Sequence, residues 1–162
     1  MTLAQTFLPK LGEHRPPGPG RHVLAHADAA SGWSVTAIIE KADALSCQLW
    51  EITLHRARPA ATDPAALGKW AHGIAERVTG LMEPLRVLEI DNVRNEALLR
   101  SEAVTERHDK RFHYELKLEG AHRATLRRFQ AGTDSRAKRE QVPFVLTHET
   151  LGKFLDDVTA AL

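Results

Sequence analysis

On either side of one helical interruption, the apolar residues from Trp33 to Leu146 recur mainly at every second position, in runs separated by connections of a few residues. A period of two belongs to strands that bury one face. Parallel neighbours need a crossover of about a dozen residues or more, so these short connections impose antiparallel pairing. The buried face of such a sheet must then be covered by the helical segments.

The runs are uneven in strength. Residues 21–28 offer Val23 and Leu24, whereas 33–41 set Trp33, Val35, Ala37 and Ile39 on one face. Across 45–56 the apolar set begins as Leu45, Cys47, Leu49 and continues as Trp50, Ile52, Leu54, so its phase slips at Leu49–Trp50. A β-bulge, or burial on both faces, accounts for such a slip. Residues 86–93 and 97–105 read as strands around Arg94 and Asn95. Residues 111–119 alternate as Phe112, Tyr114, Leu116, Leu118 and turn at Gly120 into 123–130. Pairing Leu118 with His122 aligns Leu116 with Ala124 and Tyr114 with Leu126, while a one-residue slip opposes Leu116 to Arg123. The first register leaves His113, Glu115, Lys117, Arg123, Thr125 and Arg127 outward as a ladder of alternating charge. Residues 131–140 lack apolar periodicity and read as a mobile loop; 141–146 form a last strand whose Pro143 points to a sheet edge.

Three segments carry the helical period. Residues 2–11 place Leu3, Phe7, Leu8 and Leu11 on one side and end at Gly12. Asp63 followed by Pro64 is a helix start. It opens a helix over about 64–83 with the stripe Leu67, Trp70, Ala71, Ile74, Val78, Leu81, Met82, stopped by Pro84. Thr147 caps a terminal helix over about 148–161 with the stripe Leu151, Phe154, Leu155, Val158, Leu162 and Glu149 in its first turn. Residues 13–20 hold three prolines and two glycines and read as a linker or extended arm. The chain thus divides into residues 1–20, a short helix and arm, and 21–162, a single domain.

The fold class is α+β: about six to eight mostly antiparallel strands in the order β-β-β-α-β-β-β-β-β-α after a short helix, with the two longer helices packed on the sheet. In element order it resembles the small α+β chaperones of type III secretion, in which strands and two helices form a dimerising module that holds an unfolded partner segment. The resemblance is one of topology. Those proteins usually open with a long helix and are acidic, whereas this chain opens with a short one and has 22 Lys plus Arg against 21 Asp plus Glu.

That charge balance excludes a chain-wide polycation, and a hydrophobic share of 43% excludes global disorder. Cys47 is the single cysteine, which fits a reducing, cytoplasmic compartment. Met1–Leu11 lacks a basic region before an apolar core, and no window approaches eighteen apolar residues, so neither a secretion signal nor a membrane span is expected. The Pro-Gly-Pro-Gly stretch at 17–20 has prolines where a phosphate loop needs N–H donors. Paired cysteines and a His-Glu-x-x-His motif are missing, so no metal, cofactor or catalytic residue is assigned.

Other residues have two readings. The histidines are 14, 22, 26, 55, 72, 108, 113, 122 and 148; His22, His26 and His55, oriented by Asp28 or Glu51, would make a general base or metal cluster, or they are scattered side chains. Cys47 is a nucleophile or a buried strand residue, and Trp33, Trp50 and Trp70 line a pocket or fill the core. Charge is asymmetric: from 100 to 139 there are eleven basic and six acidic residues, a net +5 against −4 elsewhere. Arg123, Arg127, Arg128, Arg136, Lys138 and Arg139 are candidate phosphate or partner contacts, with Phe129 or Tyr114 stacking on bases; the other reading is a solvated face of cross-strand ion pairs. Complete fold signals without a catalytic motif favour a protein-binding, chaperone- or adaptor-like module, expected as a homodimer. The alternatives are nucleic-acid contact through 123–139 and an enzyme with an unrecognised His/carboxylate site.

Overall fold

The computed structural model describes residues 1–16, 18–58, 63–101, 105–133 and 138–162. The elements are α1 (Leu3–Glu13), β1 (His22–Asp28), β2 (Trp33–Ala42), β3 (Ser46–Arg56), α2 (Ala66–Arg77), β4 (Leu85–Asp91), β5 (Glu96–Ser101), β6 (Thr105–Arg107), β7 (Lys110–Glu119), β8 (Arg123–Gly132), β9 (Glu140–Val142), β10 (Phe144–Thr147) and α3 (His148–Ala160). This is the α+β order read from the sequence, with seven strands among the described residues between α2 and α3 rather than five. The strands form one antiparallel sheet in the order β1-β2-β3-β8-β7-β5-β4, with β10 on β3, β6 on β7 and β9 on β8.

The three helices of the described residues lie on one face. α1 packs on β1, β2 and α3; α3 reaches β3 and β10; α2 covers β4 and β5. Beneath them Phe7, Val35, Ile52, Leu54, Trp70, Ile74, Leu99, Leu116, Leu126 and Leu155 are fully buried. Trp70 donates its indole N–H to the Val158 carbonyl at 2.9 Å and meets Trp33 at 5.9 Å between ring centroids. α1 belongs to this core: Leu3, Ala4, Phe7 and Leu11 are buried in it, and Gly152 lets it approach α3, because a Cβ there would stand 2.9 Å from Leu8 Cδ1. The chain therefore enters β1 from a docked helix, with His22 Nε2 2.7 Å from the Gly18 carbonyl.

Several boundaries differ from the pattern reading for local reasons. α1 runs through Gly12 to Glu13; Thr2 and Gln5 close a capping box at its start. α2 spans Ala66–Arg77 rather than 64–83. Asp63 accepts from the Ala65 N–H at 2.9 Å in a turn ahead of the helix, and Val78 is extended, followed by Thr79 and Gly80, poor helix formers. Val78 and Leu81 remain buried without helical backbone, whereas Met82 is 70% exposed. Leu162, placed on the α3 stripe, is exposed, while Thr147 caps α3 by accepting from the Thr150 N–H at 3.1 Å.

In the β7–β8 hairpin Leu118 pairs with Ala124, Leu116 with Leu126 and Tyr114 with Arg128, two residues from the expected register. The faces are unchanged because the shift is even. Its cause is the loop, centred on Ala121 instead of Gly120: Gly120 takes φ +54 at the first loop position, donates to the Asn95 carbonyl at 2.7 Å, and lets Glu119 pair with Arg123. The phase slip in β3 is a bulge. Ile38 pairs with Glu51 and Ile39 with Leu49, which leaves Trp50 between them and half-buried outside the core, unlike Trp33 and Trp70.

β8 extends to Gly132 and β9 begins at Glu140, so both ends of the expected loop 131–140 are strand, while residues 134–137 of it lie outside the described residues. The last strand is broken at Pro143 into β9 on β8 and β10 on β3. β3 and β8 pair only from Ile52↔Leu126 to His55↔Arg123, and this broken strand fills the gap where they diverge. Gln141 ties it to the bulge by donating to the Trp50 carbonyl at 2.9 Å.

Candidate functional site

No helix covers the opposite face of the sheet among the described residues. Its side chains follow from register: Ser34, Thr36 and Ile38 on β2 meet His55, Thr53 and Glu51 on β3, and further across Arg127 meets Glu115 while Thr125 meets Lys117. β5 adds Glu96 and Leu98 opposite Glu119 and Lys117, and β4 brings Asp91 and Glu89 opposite Glu96 and Leu98.

Over β4, β5, β7 and β8 this face forms a groove of about 390 Å³. Glu89, Asp91, Arg94 and Glu96 line one side; Lys117, Arg127, Phe129 and Arg139 line the other, above Glu115. The outward positions of β7 are as the alternation predicts, yet His113 and Glu115 are buried, at 2% and 7% exposure. Phe129 stacks on the His113 ring at 5.7 Å between centroids, and Arg139 lies over the Phe129 ring at 4.2 Å. Below them His113 Nε2 meets Glu115 Oε1 at 3.1 Å, and Arg139 donates to the same oxygen. Burial would push the Glu115 carboxyl up, but the His113 hydrogen bond and the charges of Arg139, His113 and Arg100 together hold it below the ordinary carboxylate range.

The cations of the groove stand opposite carboxylates: Lys117 to Glu96 at 3.7 Å, Arg127 to Glu51 at 3.0 Å, Arg94 to Asp91 at 3.9 Å and Arg139 to Glu115. The Glu51–Arg127 pair divides this groove from a polar hollow of about 440 Å³ over Ser34, Thr36, Thr53, His55 and Arg123. At the edge of that hollow His55 and His122 stand 5.9 Å apart edge to face. Burial, with Arg58 and His55 adding to it, lowers the His122 pKa.

The six cations singled out from the sequence are dispersed. Arg123, Arg127 and Arg139 lie on the open face and are paired with Glu119, Glu51 and Glu115. Arg128 faces the helix side, where it is buried, reaches both Glu83 oxygens at 3.2 and 3.3 Å and lies 4.3 Å over the Tyr114 ring. Tyr114 is thereby unavailable as a base-stacking surface. Lys138 lines a small separate hollow with Lys110 and Glu140, and Arg136 lies outside the described residues.

The histidines do not converge either. His22 and His26 share the helix side of β1, with His26 Nε2 2.9 Å from Thr6 Oγ1, whereas His55 lies on the open face with Glu51. Among the described residues no three His, Cys, Asp or Glu side chains gather as a metal site. Cys47 is buried, donates to the Leu146 carbonyl at 3.7 Å, and burial pushes its thiol up to about 12, far from a reactive thiolate. The sequence does not single out Phe129 with His113 and Glu115 as a unit, because their contact needs the β7–β8 register. Among the described residues no helix is long and apolar enough to cross a membrane.

Compared with protein-family models, curated proteins and solved structures, the chain matches none. The site must be interpreted from its own chemistry. An open groove whose charges are mutually neutralised suits a ligand that carries both signs together with many hydrogen-bonding groups.

Proposed function

We propose that this protein is a binding module whose groove over β4, β5, β7 and β8 receives a polypeptide segment of mixed charge. The observation that carries the reading is the pairing of Lys117, Arg127, Arg94 and Arg139 with carboxylates in an open groove of about 390 Å³. A polyanion would have to break these pairs, whereas a segment with alternating charges can exchange partners with them. Leu88 and Val93, next in the chain to the lining residues Glu89 and Arg94, are 59% and 98% exposed and offer apolar contact. An adaptor- or chaperone-like role, in which the groove holds an otherwise unfolded segment, fits this geometry, and the charges at the floor set its specificity.

The test is selection from a displayed library of random twelve-residue peptides on the intact chain, with the enriched sequences remeasured by calorimetry. Mixed-charge peptides are expected to bind, and Lys117→Glu or Arg127→Glu to weaken them at least about tenfold, or about 1.4 kcal/mol. Failure to enrich any peptide, or binding indifferent to both variants, would overturn the reading. Tighter binding of an oligonucleotide duplex at low salt would favour the nucleic-acid alternative instead.

A further inference from the structure

The outermost strands, β1 and β4, differ in construction. β4 has a register shift between Val87 and Glu89 that leaves Leu88 bulged, and it carries Arg86, Glu89 and Asp91. Bulges and charges make a strand a poor template for another chain. β1 is regular, pairing with β2 at each of seven residues from His22↔Ile39 to Asp28↔Trp33. From Val23 to Ala27 it contains no Lys, Arg, Asp, Glu, Pro or Gly. Its outer edge has no paired strand among the described residues. Val23, Ala25 and Ala27 are exposed on the open face, while His22, Leu24, His26 and Asp28 face α1.

We infer that the β1 edge is the binding surface for a second copy of this chain, the two β1 strands pairing antiparallel about a two-fold axis at Ala25. An axis perpendicular to the sheet keeps both sets of helices on the same side. Opposed residues then share a face, so the axis passes through a residue and not between two. An axis at Leu24 opposes His22 to the partner subunit's His26. An axis at His26 opposes Leu24 to the partner subunit's Asp28 and His26 to itself. The axis at Ala25 uses all seven residues, sets His22 against the partner subunit's Asp28 at both ends, and places only a methyl group at the centre. Hydrogen-bonding complementarity of imidazole with carboxylate and ladder length therefore select the same register.

The helix above the edge is compatible with this pairing. α1 contacts both β1 and β2, so it sits inboard of the edge. With strands about 4.8 Å apart, two such helices lie about 10 Å apart across the axis, an ordinary packing distance. Leu8 and Ala4 face Gly152 of α3, and helical period puts Thr6, Lys10 and Glu13 on the flank of α1 away from it. That flank carries one charge of each sign toward its mate.

Light scattering and sedimentation on the full chain should give twice the 18.0 kDa chain mass. Ala25→Lys brings two ammonium groups together at the axis and should give a folded 18.0 kDa monomer with unchanged circular dichroism, since the residue 25 side chain is exposed on the open face. Register is read by cysteine. Opposed residues in an antiparallel pair have Cα atoms about 4.5 to 5.5 Å apart, within disulfide reach, so Ala25→Cys should cross-link on mild oxidation. Val23→Cys should not, because its own copy is four residues away, about 13 Å. Wild type remaining monomeric at about 100 μM, weaker than a specific dimer requires, or equal cross-linking of the two cysteine variants, would overturn the inference. Peptide binding retained by the Ala25→Lys monomer would show that the groove reading stands apart from the dimer.

Discussion

Two ion pairs with an enclosed carboxylate are anchored on opposite faces of the β7–β8 hairpin, one through Arg128 and one through Glu115. On the helix side Arg128 meets Glu83, and both side chains are enclosed, at 9% and 4% exposure. On the open side the Glu115 side chain is enclosed as well, but that of its partner Arg139 is 53% exposed and reaches in over Phe129. The first pair is shut in by the chain's own elements, including the segment after α2 that carries Glu83. The second is closed on the solvent side by the long Arg139 side chain. Burial of a charge is thus complete on one face and depends on a single half-exposed side chain on the other.

The enclosed pair should show the larger response to mutation. Arg128→Ala leaves the Glu83 carboxylate buried without a counter-charge and should cost about 3–5 kcal/mol in urea denaturation at pH 7. Burial already pushes the Glu83 carboxyl above its ordinary value of 4.5, with Arg128 opposing that shift. In the variant the opposition is lost. A carboxyl whose folded pKa is raised favours the fold when protonated, so Arg128→Ala should regain stability as pH falls through that pKa. A loss below about 1 kcal/mol, the range of exposed pairs, would erase the distinction between the two faces.

Glu115→Gln removes a buried charge-assisted acceptor and should cost less, about 1–3 kcal/mol at pH 7. The pH response has the opposite sign. The Glu115 carboxyl is held below its ordinary 4.5, so its contribution is complete above that value and fades as pH falls through the folded pKa. Denaturation midpoints measured from pH 6 to pH 3 should therefore fall more steeply for wild type than for Glu115→Gln. Parallel curves would mean that Arg139 and His113 do not hold the carboxylate.

This contrast between faces was partly legible in the sequence. Strict alternation from Phe112 to Leu118 placed Tyr114 and Leu116 in the core and Glu115 and Lys117 outside, and the bulge at Trp50 was visible as a slip of phase. The same alternation separates Arg127 from Arg128, although counting charges along the chain merges them into one basic segment. Three things were hidden. The β6–β7 turn uses His108 and Asp109 at φ 52 and 60, without the glycine that marks such turns. The hairpin register depended on the Gly120 N–H reaching the Asn95 carbonyl of another hairpin. The burial of Glu115 depended on Arg139, twenty-four residues away, and no local pattern encodes that contact.

The smallest effect sharpens the comparison most. Arg127 and Glu51 meet at 3.0 Å on the open face, with side chains 35% and 18% exposed. Water competes for both, so a double-mutant cycle of Arg127→Ala and Glu51→Ala should yield a coupling of about 0.2–1 kcal/mol. That coupling should shrink further in 1 M salt, where the screening length drops to about 3 Å. A coupling above about 2 kcal/mol that ignored salt would mean that the pair is shielded from solvent and the groove is closed at this point. A weak, salt-sensitive coupling means that Arg127 can leave Glu51 at little cost, which a groove that exchanges its internal partners for those of a peptide requires.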